Sequence, residues 1–542
     1  MTPRCAAGSC QSSGGGPPVT PKFMSQSNRR IFLIAVVVSL GGFIFGFDAS
    51  VISGVVAYVT QEYGLNVWQQ GLVVSAPSLA AILASLTVVP LCDVVGRRRM
   101  LIIVAVLYLA SAVASALAPG FLSLVLARAI GGLAFGSLMV TPIYVAEIAP
   151  ARLRGVLVSV NQMNIVVGLS AAYFGNYVIV ALSGHDDPWV AAWGIKAYPW
   201  RWMLGLQVLP AATWVGLLFL VPESPRWLIV KGRLEEARRV LHRMLGPDEV
   251  EPQIASVLQT LREAAESGRT KFRQLISREM RFALFIGVIV AVAQQITGIN
   301  AVFFFATSIF EKCGVGRDAA FAQAVWVGLI NVVFTVVAMM LIDRLGRRPL
   351  LIGGLAGVVV SMAVAGFGFY RASYMLTDQS LATLAGTLDV AQLRPLKDRG
   401  FASDVAFKRE VAALLGSESY KLHEGQVVNA AIRLNAFIVL AGILGFVASF
   451  AVSLGPVMWV VLSEIFPNHI RGLAMAAIGF LNAGVSFLVQ FLFPWELATL
   501  GNAGTFWLYG AFGVIGLLLV GRFMPETKGR TLEELEHQLR TH

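Results

Sequence analysis

The sequence predicts an all-α polytopic membrane protein with twelve membrane-spanning helices arranged as two six-helix halves. Three observations predict it. Of 542 residues, 56% are hydrophobic and only 13% charged, and mean hydropathy is positive. Apolar runs long enough to cross about 30 Å of hydrocarbon as helices recur from end to end. The loops between them repeat one charged pattern in both halves of the chain. Closed β-barrels would need short segments of alternating polarity, which the sequence lacks.

In chain order, residues 1–30 are rich in Gly, Ser and Pro, have no apolar stretch of their own and end in "NRR". They read as a disordered cytosolic tail, with Met24 a second candidate start. Spans begin near 31, 72, 100, 121, 155, 201, 282, 320, 349, 433, 472 and 503, so residues 31–223 form one half and 282–523 the other. Between them, 224–281 reads as a cytosolic helical insert. Its "GRLEEARRVLHRML" is amphipathic and places Glu235 and Arg239 at i,i+4. Residues 371–430, between the ninth and tenth spans, mix charges with "SLATLAGTL" and "FKREVAALLG" and are expected to form a small folded extracytosolic cap. Residues 524–542 are a second cytosolic tail.

Basic residues set the orientation. "GRRR" at 96–99, Arg152, Arg154, "RLGRRP" at 344–349 and Arg471 fall in short loops on one side, whereas the loops at 58–71 and near 119 carry no Lys or Arg. Both termini are therefore expected in the cytosol. The net charge of +11 comes largely from this bias and from the basic stretch near 226–281, which indicates membrane-surface chemistry rather than nucleic-acid binding. Cys5, Cys10, Cys92 and Cys313 offer no disulfide pair or metal-ligand set, and the six histidines lie outside the apolar cores. No span offers a Ser–His, paired Asp or metal-ligand arrangement, so an enzyme is not expected.

The chain repeats itself. "DVVGRRR" at 93–99 is echoed by "DRLGRRP" at 343–349, "EIAPARLRG" at 147–155 by "EIFPNHIRG" at 464–472, and "PESPR" at 222–226 by "PETKG" at 525–529. Asp93 to Arg97 has the offset of Asp343 to Arg347, and Glu147 to Arg154 that of Glu464 to Arg471. Any one cluster is explained as a solvated helix end. Their duplication suggests ion pairs that hold the two halves together on the cytosolic side and part when that side opens.

The motifs "GRRR", "RAIGG", "EIAPARLRG", "PESPRWL", "QQITGIN", "DRLGRRP", "GPVMWVVLSEIFPNHIRG" and "PETKG" resemble those of the sugar porters of the major facilitator superfamily, along essentially all of residues 29–530. The resemblance implies the major facilitator fold, alternating access and a central site for a sugar or cyclic polyol. It also implies no cofactor beyond a proton as coupling ion. A carrier of this kind is expected to work as a monomer in a plasma or bacterial inner membrane.

Within "GGFIFGFDASVISG", residues 41–54, Asp48 is a lone carboxylate in an apolar span. At about 1.5 Å per residue it lies roughly 26 Å above the cytosolic start of the first span, and Arg128 roughly 10 Å below the outer start of the fourth. Similar depth makes Arg128 its expected partner, since a charge in a span needs one. A structural ion pair is one reading; a proton switch is the other. In proton-coupled sugar porters an Asp stands at this position and pairs with the fourth-span Arg, which favours symport over facilitative uniport. A sugar sensor is the alternative of another class, but sensors tend to carry longer cytosolic tails.

"QQITGIN" supplies Gln294, Gln295 and Asn300 in one span, and on an unbroken helix the last two would point about 140° apart, so the intervening "TG" matters. Asn331, Asn482 and Gln162 add amides in other spans. Amides suit a neutral polyol because each both donates and accepts; helix-to-helix bonding is the competing reading. Gly455 and Pro456 can break the tenth span, and Trp459 offers a face for the C–H side of a sugar. By resemblance these are substrate contacts. Phe304 stands where sugar carriers commonly have Tyr, Ala483 where Trp commonly follows the amide, and Leu169 where bacterial xylose symporters carry Gln. The site is thus roomier and less polar, which favours a hexose or cyclitol over xylose.

Overall fold

Each long apolar run becomes a helix because, in hydrocarbon, a backbone N–H or C=O finds a partner only within its own segment. A computed structural model describes residues 26–149, 154–244, 247–266, 275, 277, 280–386, 388–401, 403–467 and 470–528. Among the described residues, eleven helical stretches are long and apolar enough to cross a membrane. In the first half these are the first span Arg29–Tyr63, the second Val67–Val95, the third Arg97–Ala116, the fourth Phe121–Ile148 and the fifth Ser159–Ser183. In the second half they are the seventh Arg281–Phe304, the eighth Arg317–Leu345, the ninth Arg347–Tyr370, the tenth Ala436–Ile465, the eleventh Arg471–Thr499 and the twelfth Gly501–Phe523. The sixth crossing is split into Pro199–Gly205 and Val208–Leu218, each too short to span alone. The protein is an integral membrane protein with twelve helical crossings.

The first helix begins at Gln26. The end of the expected tail, residues 26–30, is thus helical, because the helix carries its Arg29 and Arg30 past the hydrocarbon edge before it stops. Residues 1–25 lie outside the described residues.

The halves meet where the second span lies along the eleventh and the fifth along the eighth. Inside a half, small residues let helices touch: a Cβ on Gly46 would sit 1.9 Å from the carbonyl oxygen of Ile165, so the first and fifth spans are in backbone contact.

Beyond the first half, the helices Pro225–Val230, Leu234–Met244 and Pro247–Glu266 pack together through Trp227, Leu241, Val250 and Ile254. The expected pairing of Glu235 with Arg239 is not formed. Arg238 instead bonds Glu235 at 2.6 Å and Glu251 at 2.7 Å, because it faces the next helix, where one guanidinium meets two carboxylates. Arg239 reaches only the backbone oxygen of Glu235, at 3.5 Å.

Between Tyr370 and Ala436 the chain folds on its own core. Strands β1 (Ser373–Tyr374) and β2 (Ile432–Arg433) pair antiparallel and close the unit at its base. Helices Asp378–Leu384, Asp404–Leu415 and Ser417–Ala431 bury Leu376, Leu393, Phe407, Val411 and Val427 between them.

Candidate functional site

Asp48 and Arg128 face each other, 6% and 3% exposed. Arg128 Nη1 lies 3.4 Å from Asp48 Oδ1, and Nη2 lies 3.5 Å from Oδ2. Both distances are long for charge-assisted bonds, which run nearer 2.7–2.9 Å. The firmer hold on the guanidinium is the 2.9 Å bond from its Nε to the carbonyl of Val73 in the second span. Arg128 is thus anchored independently of Asp48, an arrangement in which the carboxylate can gain a proton and let go without freeing the arginine. Tyr108 of the third span donates to Gln207 at 2.7 Å, in the gap between the two pieces of the sixth crossing.

The seventh span ends its first helix at Ile296 and restarts at Ile299. Gly298 makes the break with φ +89°, a left-handed conformation open to glycine at little cost. The break rephases the helix, so that Asn300 Nδ2 donates to Gln295 Oε1 at 2.7 Å. Gln295 in turn donates to Asn482 Oδ1 at 3.1 Å, and Asn482 donates to Gln294 Oε1 at 2.9 Å and to the carbonyl of Ala291 at 3.0 Å. Gln294 Nε2 donates to the carbonyl of Leu454 at 3.0 Å, at the point where the tenth span restarts after Ser453. Two broken helices and the eleventh span therefore converge on one set of amides.

The structure brings together Gln294, Gln295, Asn300 and Asn482, with Gly455 beside them: its carbonyl lies 3.4 Å from Gln294 Nε2. Trp459 follows one helical turn after Gly455 and is 40% exposed. Phe304 is buried at the outer end of the seventh span, and Asn331 is buried in the eighth. Gln162 is half-buried in the fifth span. Among the described residues, neither Asn331 nor Gln162 bonds to the amide chain.

Sequence reasoning missed the continuation of that chain. Asn300 also donates to Ser486 at 2.7 Å, Gln490 donates to Ser486 at 2.8 Å, and Ser78 of the second span donates to Gln490 at 3.0 Å. The spacing of Asn482, Ser486 and Gln490, four residues each, puts all three on one helix face and is a signal legible in the sequence. Through Ser78 the amide network crosses between the halves. Two further bonds cross between the halves: Tyr173 to the carbonyl of Phe303 at 2.7 Å, and Thr307 to the carbonyl of Ser53. Arg317 also lies 4.6 Å from the ring centre of Tyr58 across the halves. These contacts join the halves at the end of the bundle opposite the Arg97 and Arg347 clusters.

Among the described residues, the ion pairs of these repeated motifs do not join the halves, where their duplication had suggested that they would. Arg97 bonds Asp93 at 2.9 Å and Glu147 at 3.0 Å, all in the first half. Arg347 bonds Asp343 at 3.2 Å and Glu464 at 2.7 Å, all in the second. The reason is topological: a motif copied with its half carries its partners along. Arg471 Nε reaches the carbonyl of Phe466 at 3.3 Å, and the side chain of Arg154 lies outside the described residues. The "PESPR" and "PETKG" repeats belong to the same clusters. Ser224 donates to Glu147, and Thr527 to Glu464 at 2.6 Å. Glu223 accepts from the backbone N–H of Arg98 at 3.0 Å, and Glu526 from those of Arg347 and Arg348 at 3.0 and 3.1 Å. Each thereby caps the helix that opens the third or the ninth span. Among the described residues there is no group of three His, Cys, Asp or Glu placed to hold a metal ion.

Broken helices around a central set of amides, contacts that join two six-helix halves at one end, and matching charged clusters at the other define a membrane transporter of the major facilitator fold, not an enzyme. The chain belongs to the sugar transporter family: the pattern described as "Sugar (and other) transporter" matches residues 34–388 and 420–539, leaving part of the outer unit unmatched. It is 32% identical over 522 residues to the arabinose-proton symporter of Bacillus subtilis, covering 96% of this chain and 97% of that protein. It is 31% identical over 511 residues to the glucose transporter GlcP of Staphylococcus epidermidis, covering 94% of this chain and 97% of that protein. Its fold is similar to the inward open conformation of the xylose transporter XylE from Escherichia coli, with a TM-score of 0.69 at 30% identity over 94% of this chain and 99% of that one.

Proposed function

We propose that this protein cotransports a proton with a monosaccharide or cyclic polyol by alternating access, as a monomer in a cell or bacterial inner membrane with both termini cytosolic. The observation that carries the reading is the buried pair of Asp48 and Arg128, in which the arginine keeps its anchor on Val73 when the carboxylate lets go. A proton moving down about 100 mV gains roughly 2.3 kcal/mol, and a unit of pH adds roughly 1.4, enough for several-hundred-fold accumulation of a neutral solute.

The sugar sits among Gln294, Gln295, Asn300, Asn482 and Gly455, with Asn331 and Gln162 reaching it from the eighth and fifth spans and Phe304 and Trp459 as apolar walls. Leu169 is buried and apolar, and together with Phe304 and Ala483 it removes polar groups or bulk from the pocket. A hexose or cyclitol is the preferred substrate over a pentose. Relatives named as an arabinose-proton symporter and a glucose transporter support the substrate class and leave that choice to this chain's own residues. The Arg97 and Arg347 clusters brace each half internally.

Facilitative uniport is the second reading, supported by a relative named as a glucose transporter rather than a symporter, with Asp48 and Arg128 as a purely structural pair. Uptake of labelled glucose, galactose, xylose and myo-inositol into proteoliposomes, with and without an imposed proton gradient, separates the two. Gradient-independent equilibration without accumulation would establish uniport, and a clear preference for xylose would overturn the size argument.

A further inference from the structure

A cavity of about 520 Å³ opens at the cytosolic rim of the first half, away from the sugar site. Arg30 enters it from the base of the first span, Arg98 from the base of the third, and Arg243 from the cytosolic helix Leu234–Met244. Its wall is apolar and turned outward: Leu33, Phe219 and Leu220 are 54%, 57% and 80% exposed, in segments that stand at the edge of the hydrocarbon. No carboxylate lines the cavity. Arg98 donates to the carbonyls of Leu218 and Phe219 at 3.3 and 2.7 Å, and Arg30 to that of Arg243 at 3.4 Å. None of the three arginines is in an ion pair among the described residues. Residues 1–28, which precede Arg30 in the sequence, contain no Asp or Glu.

Three guanidiniums from three elements around one space, each with donors to spare, form a site for a phosphate group. An apolar wall that continues into the bilayer suits acyl chains lying below that phosphate. We propose that this cavity binds the headgroup of an anionic glycerophospholipid, with its acyl chains along Leu33, Phe219 and Leu220. The bound lipid ties the cytosolic helix Leu234–Met244 to the bases of the first and third spans, and it does so independently of the transported solute.

The test is native mass spectrometry of the purified full chain, titrated separately with dioctanoyl phosphatidylglycerol, dioctanoyl phosphatidylcholine and inorganic phosphate. Expected is one tightly held phosphatidylglycerol and no comparable phosphatidylcholine adduct. The double variant Arg30→Gln, Arg243→Gln should hold phosphatidylglycerol roughly 30-fold more weakly, since each basic residue at a membrane surface contributes about a factor of five. Both residues are exposed, and an unchanged thermal unfolding midpoint of the variant in detergent checks that the fold survives. Equal binding of phosphatidylcholine, or unchanged phosphatidylglycerol binding by the folded variant, would overturn the site. Inorganic phosphate bound as tightly as the lipid would overturn the lipid assignment and leave a small-anion site.

Discussion

Asp48 has one charged partner, and that partner has two. Arg128 keeps its bond to Val73 whatever the state of the carboxylate, so replacing Asp48 removes the titratable member and leaves the helix packing in place. Asp48→Asn is therefore expected to bind sugar and catalyse exchange while losing uphill accumulation in proteoliposomes; accumulation at the wild-type level would refute proton coupling through this residue. Asn482 is the corresponding hub among the amides, bonding Gln294, Gln295 and the carbonyl of Ala291. Asn482→Ala removes one bond from each glutamine, which keep their bond to each other, a loss of about 1–3 kcal/mol for the two. Sugar affinity by isothermal titration should fall by roughly tenfold to a hundredfold; an unchanged affinity would place the sugar elsewhere. Both positions were legible because polar residues are so rare in these spans that each one needs a reason. The partners Ser486, Ser78 and Val73 were harder to see: serines are common in apolar helices, and a backbone carbonyl leaves no trace in a sequence.

An element breaks where its own residues allow it. Gly298 holds φ +89°, and a Cβ there would stand 2.7 Å from the ring of Tyr509. Gly298→Ala meets both penalties at once: roughly 1–2 kcal/mol for the left-handed backbone and displacement of a buried aromatic ring. Its thermal unfolding midpoint should drop by several degrees, with sugar affinity falling too as Asn300 leaves Gln295. The capping glutamates show what the repeat was for. Burial pushes the carboxyl of Glu526 up, but backbone N–H groups of Lys528, Arg347, Arg348 and Thr527 outweigh it and hold it below its usual 4.5. A lowered folded value means the cap contributes fully above about pH 4.5 and is lost as pH falls through the lower folded value. Glu526→Gln should cost about 0.5–2 kcal/mol at pH 7, read as a lowered unfolding midpoint, and the wild type should lose that advantage below pH 4.5. The pairing of "PESPR" with "PETKG" was visible in the sequence, but its partner was not, since Glu526 and the start of the ninth span meet only once the whole half has folded. The same distance explains why the ion pairs read as bridges between halves: duplication reveals that two clusters are equivalent, and only the fold shows that Arg97 and Arg347 each pair within their own half.

At the scale of the whole molecule, the unit between Tyr370 and Ala436 is fastened to the start of the twelfth span and to the segment after the seventh. Asp404 accepts from the backbone N–H and the side chain of Asn502 at 3.3 and 3.1 Å, and so caps the start of the twelfth span. Gly314, just past the outer end of the seventh span, lies against Ile432 of β2. Between these contacts stands Lys312. Burial pushes its ammonium down to about 8, with Lys408 of the outer unit pushing the same way against Glu424, Asp404 and Glu311. The folded value lies below the usual 10.5, so the folded state favours the neutral amine, and stability rises with pH between about 8 and 10.5. Below 8 the buried charge carries its full penalty. The periodicity of "FKREVAALLG" announced a helix, but it could not show where that helix docks, because the contact depends on residues far apart in the chain. Lys312→Met should raise the unfolding midpoint in detergent at pH 7 and flatten its rise between pH 8 and 10. Asp404→Asn, which weakens the cap on the twelfth span and takes a neutralising charge from beside Lys312, should lower the midpoint. A Lys312→Met protein with the wild-type slope would show that the pH response arises elsewhere.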